Sequence, residues 1–143
     1  MTRIFFYFNA RDRLAASADL ITRACRKKKE IFVYAPDAKL AGALDRLLWA
    51  FPPTGFIPHV YASSPLADRT PVIIASATDA RRQTGRMLNL SDEVPPGFAE
   101  FDNLVEVVGQ SGDEKQAGRE RARFYKDRGY AIEYFNLQET TNA

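Results

Sequence analysis

Two features of the sequence predict an α/β domain with a mostly parallel sheet flanked by helices. Short apolar runs alternate with segments of helical period through the first half of the chain. The last third then repeats the pattern as strand, long helix and strand. Strands separated by helices pair in parallel, because returning to the same end of the sheet requires a crossover segment.

The first strand is read at 3–8, an aromatic run ended by Asn9. Asn9 is placed to cap the next helix, with Asp12 in its first turn. Leu14, Ala18, Ile21 and Cys25 recur on one face of that helix, and Arg26-Lys27-Lys28-Lys29 closes it with charges that suit a helix C-terminus. A second strand covers 30–35. Pro36-Asp37 starts another helix, with Leu40, Leu44, Leu47 and Phe51 on one face and Leu48 beside them. Pro52-Pro53 stops it, since proline lacks the amide and disfavours helix in the preceding residue. Strands are then expected at 57–61 and 71–75, a weaker one at 86–90, a short helix at 95–101 and a strand at 103–108. A helix over 112–128 and a strand near 131–137 finish the chain.

With 143 residues the chain fits one domain spanning 1–143, with Glu139–Ala143 as a loose tail. Hydrophobic residues make up 45% and charged residues 27%, as in a folded globular protein. Lys and Arg number 20 against 18 Asp and Glu, so any electrostatic partner must be read from local clustering. One cysteine, Cys25, and one histidine, His59, leave no internal disulfide and no Cys/His zinc site. The run Ile4-Phe5-Phe6-Tyr7-Phe8 is too short for a signal-peptide core, and no apolar stretch approaches membrane-spanning length. The expectation is a cytoplasmic protein with no membrane contact.

Nucleotide and catalytic motifs are missing. After the first strand stands Asn9-Ala10-Arg11-Asp12-Arg13, with no glycine to let a dinucleotide phosphate reach the backbone. Gly109 and Gly112 are not followed by the Lys-Ser/Thr of a phosphate loop. His59, beside Pro58, reads as structural. Cys25, on the buried helix face, reads as inert. Asp92-Glu93 reads as a solvated loop pair. No metal ligands, cofactor or catalytic residues are expected.

Two stretches look like binding surfaces. In the helix at 112–128, Lys115, Arg119, Arg123 and Lys126 fall within roughly 80° of one another at about 100° per residue. Gly118, Ala122, Tyr125 and Gly129 form the neighbouring stripe, suited to packing on the sheet. Asp113, Glu120 and Asp127 are expected on a different side. Like charges at this spacing repel by a few tenths of a kcal/mol per pair, so either an anionic partner or plain solvation accounts for the stripe. The second stretch runs from Leu44 to His59 and gathers Trp49, Phe51, Phe56 and three prolines around a helix end and loop. Exposed aromatics anchor protein partners. Trp49 and Phe51 could equally finish the core; Trp49 reads that way, and Phe56, beyond Gly55, as exposed. A weaker reading is direct nucleic-acid binding through Arg81, Arg82, Arg86 and the last helix. A nucleotide-binding α/β protein is a further alternative, resting on fold class alone.

Leu44-Asp45-x-x-Leu48-Trp49 followed by Phe56-x-Pro58-His59, and Lys115-Gln116-x-x-Arg119-Glu120-Arg121, resemble the chi subunit family of bacterial DNA polymerase III. The aromatic first strand and Phe98-x-x-Phe101 before Val105-Glu106-Val107-Val108 fit the same family, in order along nearly the whole chain. The resemblance implies a Rossmann-like α/β domain without catalytic activity. It implies a one-to-one complex with the psi subunit, which tethers chi to the clamp loader. It also implies binding of the acidic C-terminal tail of single-stranded DNA-binding protein, which ends in a Pro-Phe carboxylate. Lys115, Arg119, Arg123 and Lys126 would hold that tail, with Tyr125 or Phe124 bordering a slot for its ring. Trp49, Phe51, Phe56 and Ile57 would face psi, or a helicase that competes with psi. DNA would be met indirectly, through these partners.

Overall fold

The structure, a computed structural model, describes residues 1–50, 58–67, 70–77 and 84–138. Seven strands among these form one sheet: β1 (Arg3–Ala10), β2 (Ile31–Tyr34), β3 (His59–Tyr61), β4 (Val72–Ala75), β5 (Arg86–Asn89), β6 (Asn103–Gly109) and β7 (Ile132–Asn136). Their order is β3-β4-β2-β5-β6-β1-β7, and every neighbouring pair is parallel. The expectation of a mostly parallel sheet is thus met in full.

Helices α1 (Arg13–Arg26) and α2 (Ala38–Ala50) cover one face and α3 (Gly112–Asp127) the other. Strand alternation divides the core accordingly. Ile31, Val33, Leu88, Val105 and Val107 meet Ala18 and Ile21 of α1 and Leu44 and Leu48 of α2. Ile4, Phe6, Phe32, Met87, Leu104 and Val108 meet Tyr125 of α3, with Phe98 and Phe101 closing that layer. Each fully buried Leu or Ile contributes about 1.5–3 kcal/mol relative to an exposed one. The leucine face read in α2 is the buried one: Leu44 and Leu48 are sealed, Leu40 and Leu47 half-buried.

Two local details differ from the sequence reading. Asp12, not Asn9, caps α1, its carboxylate accepting from Leu14 N and Ala15 N. Asn9 instead takes a left-handed conformation (φ 67°) inside β1, where the pairing with β6 shifts register between Tyr7 and Ala10. An asparagine tolerates that region because its short amide finds local partners. The segment read as a helix at 95–101 shortens to one 3-10 turn, Phe98–Glu100, after Gly97 at φ 75°. Phe51 and the residues through Ile57 lie outside the described residues, so the Pro-Pro stop does too.

The chain leaves β6, runs through α3 and returns at β7, passing β1 on the way. This crossover positions the site. Gly118 packs α3 tightly onto β6: a Cβ there would lie 2.9 Å from Val108 Cγ2. Drawn toward β6, the helix leaves the outer strip of the sheet, β1 and β7, facing its flank across a gap.

Candidate functional site

The gap is a cleft of about 720 Å³. One wall is α3, through Lys115, Gly118, Arg119, Ala122, Arg123 and Lys126. The other wall is strand: Phe6 and Phe8 of β1, Val108 of β6 and Tyr134 of β7. Alternation along β1 sends Phe6 and Phe8 to the α3 face, and the register sets Phe6 opposite Tyr134. The rings interlock, Phe6 to Tyr134 at 5.9 Å and Phe8 to Tyr134 edge-on at 6.4 Å between centroids.

The helix begins cleanly. Ser111 Oγ accepts from Glu114 N at 3.1 Å and donates to Glu114 Oε1 at 3.0 Å. Asp113 and Glu114 in the first turn and Lys126 in the last complement the helix dipole. The four cations that share a flank in the sequence all line the cleft. Among the described residues Lys115, Arg119 and Arg123 form no ion pair. Lys126 Nζ sits 5.4 Å from the centre of the Tyr134 ring, a cation–π contact. The cleft therefore presents unneutralised charge along one side and aromatic surface along the other.

Two expectations for this helix are corrected. Tyr125 does not border the cleft. It is fully buried, and its hydroxyl donates to Glu106 Oε2 at 2.6 Å. It stands behind Phe6, ring edge to ring face at 6.1 Å, and supports the aromatic wall from the core. Phe124 is also turned away, stacked under the Arg128 guanidinium at 3.5 Å. Asp127 was expected on another side and instead lines the end of the cleft. At the last residue of the helix its wheel position adjoins that of Arg123.

Behind α3 lies a buried polar network. Glu106, fully buried in β6, accepts from Arg121 Nε at 3.0 Å, from Tyr125 and from Asn89 Nδ2. Asn89 Oδ1 in turn accepts from Ser91 Oγ at 2.6 Å. Burial, reinforced by the Glu106 charge, pushes the Tyr125 phenol far above its ordinary value, so it remains a donor. Arg13 joins from α1, donating to Val107 O at 2.8 Å and pairing with Asp92 at 3.1 Å. Burial and the nearby Arg121 lower its pKa. Arg121 and Glu106 went unassigned in the sequence; a glutamate inside the apolar run Leu104-Val105-Glu106-Val107-Val108 was the available signal, since a buried carboxylate needs a cationic partner.

The crevice where α/β sheets take nucleotides, at the carboxyl ends of β6 and β1, is spanned by side-chain hydrogen bonds. Gln110 Nε2 donates to Asn9 Oδ1 at 3.0 Å, and Asn9 Nδ2 to Asn136 Oδ1 at 3.2 Å. The Glu114 carboxylate lies against Gly109, where a phosphate would need to approach. Its negative charge opposes that ligand.

The second stretch is partly seen. Trp49 was read as finishing the core and is instead 60% exposed at the end of α2, edge-on to the His59 ring at 5.6 Å. His59 is buried, with Nε2 2.8 Å from Asp45 Oδ1, so the structural reading of that histidine holds. Tyr61 and Leu66 are also exposed. Phe51, Phe56 and Ile57 lie outside the described residues, as do Arg81 and Arg82. Cys25 is half-buried and burial raises its thiol pKa, in keeping with an inert group. Among the described residues there is no cluster of metal-ligating side chains, and no helix is long and apolar enough to cross a membrane.

Fold and site together define a small open-sheet α/β protein whose most developed surface is a basic, aromatic-walled cleft. Residues 1–133 match the family described as "DNA polymerase III chi subunit, HolC", and the chain belongs to that family. It is similar to the DNA polymerase III subunit chi of Pseudomonas aeruginosa, 28% identical over 141 residues, covering 96% of this chain and 98% of that protein. It is similar also to the DNA polymerase III subunit chi of Escherichia coli K12, 30% identical over 119 residues, covering 81% of this chain and 76% of that protein. The family is an accessory subunit of a replicative polymerase, which sets this chain in a replication complex.

Proposed function

We propose that this domain is a non-catalytic adaptor whose α3 cleft grips the acidic C-terminal tail of single-stranded DNA-binding protein. One observation carries the reading: Lys115, Arg119, Arg123 and Lys126 converge on one cleft opposite Phe6, Phe8 and Tyr134, and the first three form no ion pair among the described residues. A tail ending in Pro-Phe and a free carboxylate offers matching chemistry. Its ring fits against the aromatic wall, and its carboxylates meet guanidinium and ammonium groups; Arg119 can take the terminal carboxylate bidentately. A volume of about 720 Å³ suits the last few residues of a peptide and little more.

The exposed Trp49 is the described part of a second surface, which would join psi, or a helicase in its place, to the opposite end of the sheet. Cleft and Trp49 sit at opposite edges, near β7 and β3 respectively, so both partners could be held at once and the domain could bridge them.

The test is a titration of a labelled acidic peptide ending in Pro-Phe into the full chain, against the same peptide with its last residue removed. Tight binding of the first and loss with the second is the expected result. Equal binding of both peptides, or equal binding by Arg119→Ala, overturns the site assignment.

A further inference from the structure

The exposed Trp49 stands against a hydrogen-bonded pair. Asp45 lies one turn before it on α2, so the two side chains share a flank of the helix. His59 opens the edge strand β3, where it pairs with Val72 of β4. Its side chain is sealed from solvent, with Nε2 2.8 Å from Asp45 Oδ1. A carboxylate only accepts, so Nε2 carries the proton and donates. The same ring meets the Trp49 indole at 5.6 Å between centroids and 68° between planes. Tyr61 follows on the same face of β3 by alternation and is also exposed. Burial and then the Asp45 charge raise its phenol pKa, which sets Asp45 near both exposed rings. We propose that Asp45 and His59 are positioning residues: the pair holds the Trp49 indole in the orientation that the psi subunit receives. The inference rests on the reading of Trp49 as part of the second surface.

Stability alone is a poor reason for such a pair. Buried polar partners add little over apolar side chains of the same shape, because both groups give up their water. What they add is direction. An imidazole that donates to a fixed carboxylate cannot turn without breaking the bond, so its ring keeps one plane. The strand holds His59 at one end and the helix holds Asp45 at the other, and the indole packs on the result. Ordering a large side chain during association opposes binding, and a side chain ordered beforehand avoids that loss. Tryptophans carry a large share of interface energy, so holding this one acts where the effect is greatest.

The experiment is calorimetric titration of the full chain with psi. Trp49 is the only tryptophan, so time-resolved fluorescence anisotropy of the free chain reads its motion as well. Trp49→Ala should weaken psi about thirtyfold or more. Asp45→Ala should weaken it about three- to tenfold and speed the motion of the indole. Asp45→Asn, whose amide oxygen still accepts from Nε2, should restore both. In a Trp49→Ala background Asp45→Ala should have no further effect, which a general loss of stability would not reproduce. Binding of the acidic peptide in the α3 cleft should be the same in all of them. If Asp45→Ala does not fold, His59→Phe replaces it: the ring volume stays, the donor is gone, and water satisfies the partly exposed Asp45. That variant should also weaken psi and free the indole. Parent-like affinity in Asp45→Ala or in its replacement His59→Phe, with Trp49→Ala weakened, overturns the positioning role and leaves the second surface standing. An undiminished effect of Asp45→Ala without the indole overturns it too. Parent-like affinity in Trp49→Ala, or no binding of psi by the parent, removes the second surface itself and the inference with it.

Discussion

Arg119 and Arg121 stand two residues apart on α3 and occupy opposite environments. Arg121 turns inward, 3% exposed, and is locked to the buried Glu106. Arg119 turns to the flank and lines the cleft, and among the described residues it forms no ion pair. A helix advances about 100° per residue, so two steps carry a side chain from the sheet to the cleft mouth. The inner arginine fixes where the helix lies; the outer one uses that position. The same residue type thus has a purely structural role on one face and is available to a partner on the other.

The largest expected effect comes from breaking the inner pair. Arg121→Ala leaves the Glu106 carboxylate buried with its cation gone, and removing one partner of such a pair costs about 3–5 kcal/mol. For a chain of this size that is a fall in melting temperature of roughly 10–20 °C. A calorimetric scan showing less than a few degrees would mean that water reaches Glu106. Next in size is Arg119→Ala, which should weaken acidic-peptide binding by at least tenfold, since a charge-assisted contact is lost, while the melting temperature stays within a degree or two. Should Arg119→Ala melt as early as Arg121→Ala, the division between the two faces fails. Raising salt from about 50 to 200 mM should weaken the peptide for the parent protein more than for Arg119→Ala, because screening acts on the charges that remain. Tyr125→Phe is expected to cost about 1.5–3 kcal/mol, the range for a hydrogen bond to a charged acceptor. It should alter peptide affinity only slightly, because the Tyr125 ring supports Phe6 and its hydroxyl points to Glu106.

This comparison also marks what the sequence could and could not reveal. The basic flank was legible, because helical period alone puts Lys115, Arg119, Arg123 and Lys126 together, and the structure keeps them together. Strand alternation makes Ile4, Phe6 and Phe8 one face of β1, but it does not say which face meets α3 or that β7 lies beside β1. That pairing joins residues about 130 positions apart, as in Phe6 with Tyr134, and no local pattern encodes it. The aromatic wall was therefore missed, and Tyr125 was placed at a cleft edge that Phe6, Phe8 and Tyr134 line instead. Trp49 was misjudged for a related reason. Its neighbour Leu48 takes the buried position on α2, and one residue of rotation carries the indole out to the surface. Element order was far easier to read than the site, since each strand and helix carries its own period.

The smallest effect tests the contact that sets the width of the cleft. Gly118 is a poor helix former, and alanine there should gain about 1 kcal/mol from propensity alone. Its new Cβ, however, would lie 2.9 and 3.0 Å from the two methyl groups of Val108, inside normal contact distance. Val108 is β-branched and held in a strand, so it yields little. The two terms nearly cancel, and Gly118→Ala should be neutral or mildly destabilising, within about 1 kcal/mol. Truncating the neighbour separates them. In a Val108→Ala background the clash is gone, and Gly118→Ala should become stabilising by nearly the full propensity gain. A double-mutant cycle by urea unfolding reads that coupling directly. If the cycle closes to zero, α3 is not drawn onto β6 by this contact, and the opening of the cleft must come from the crossover itself.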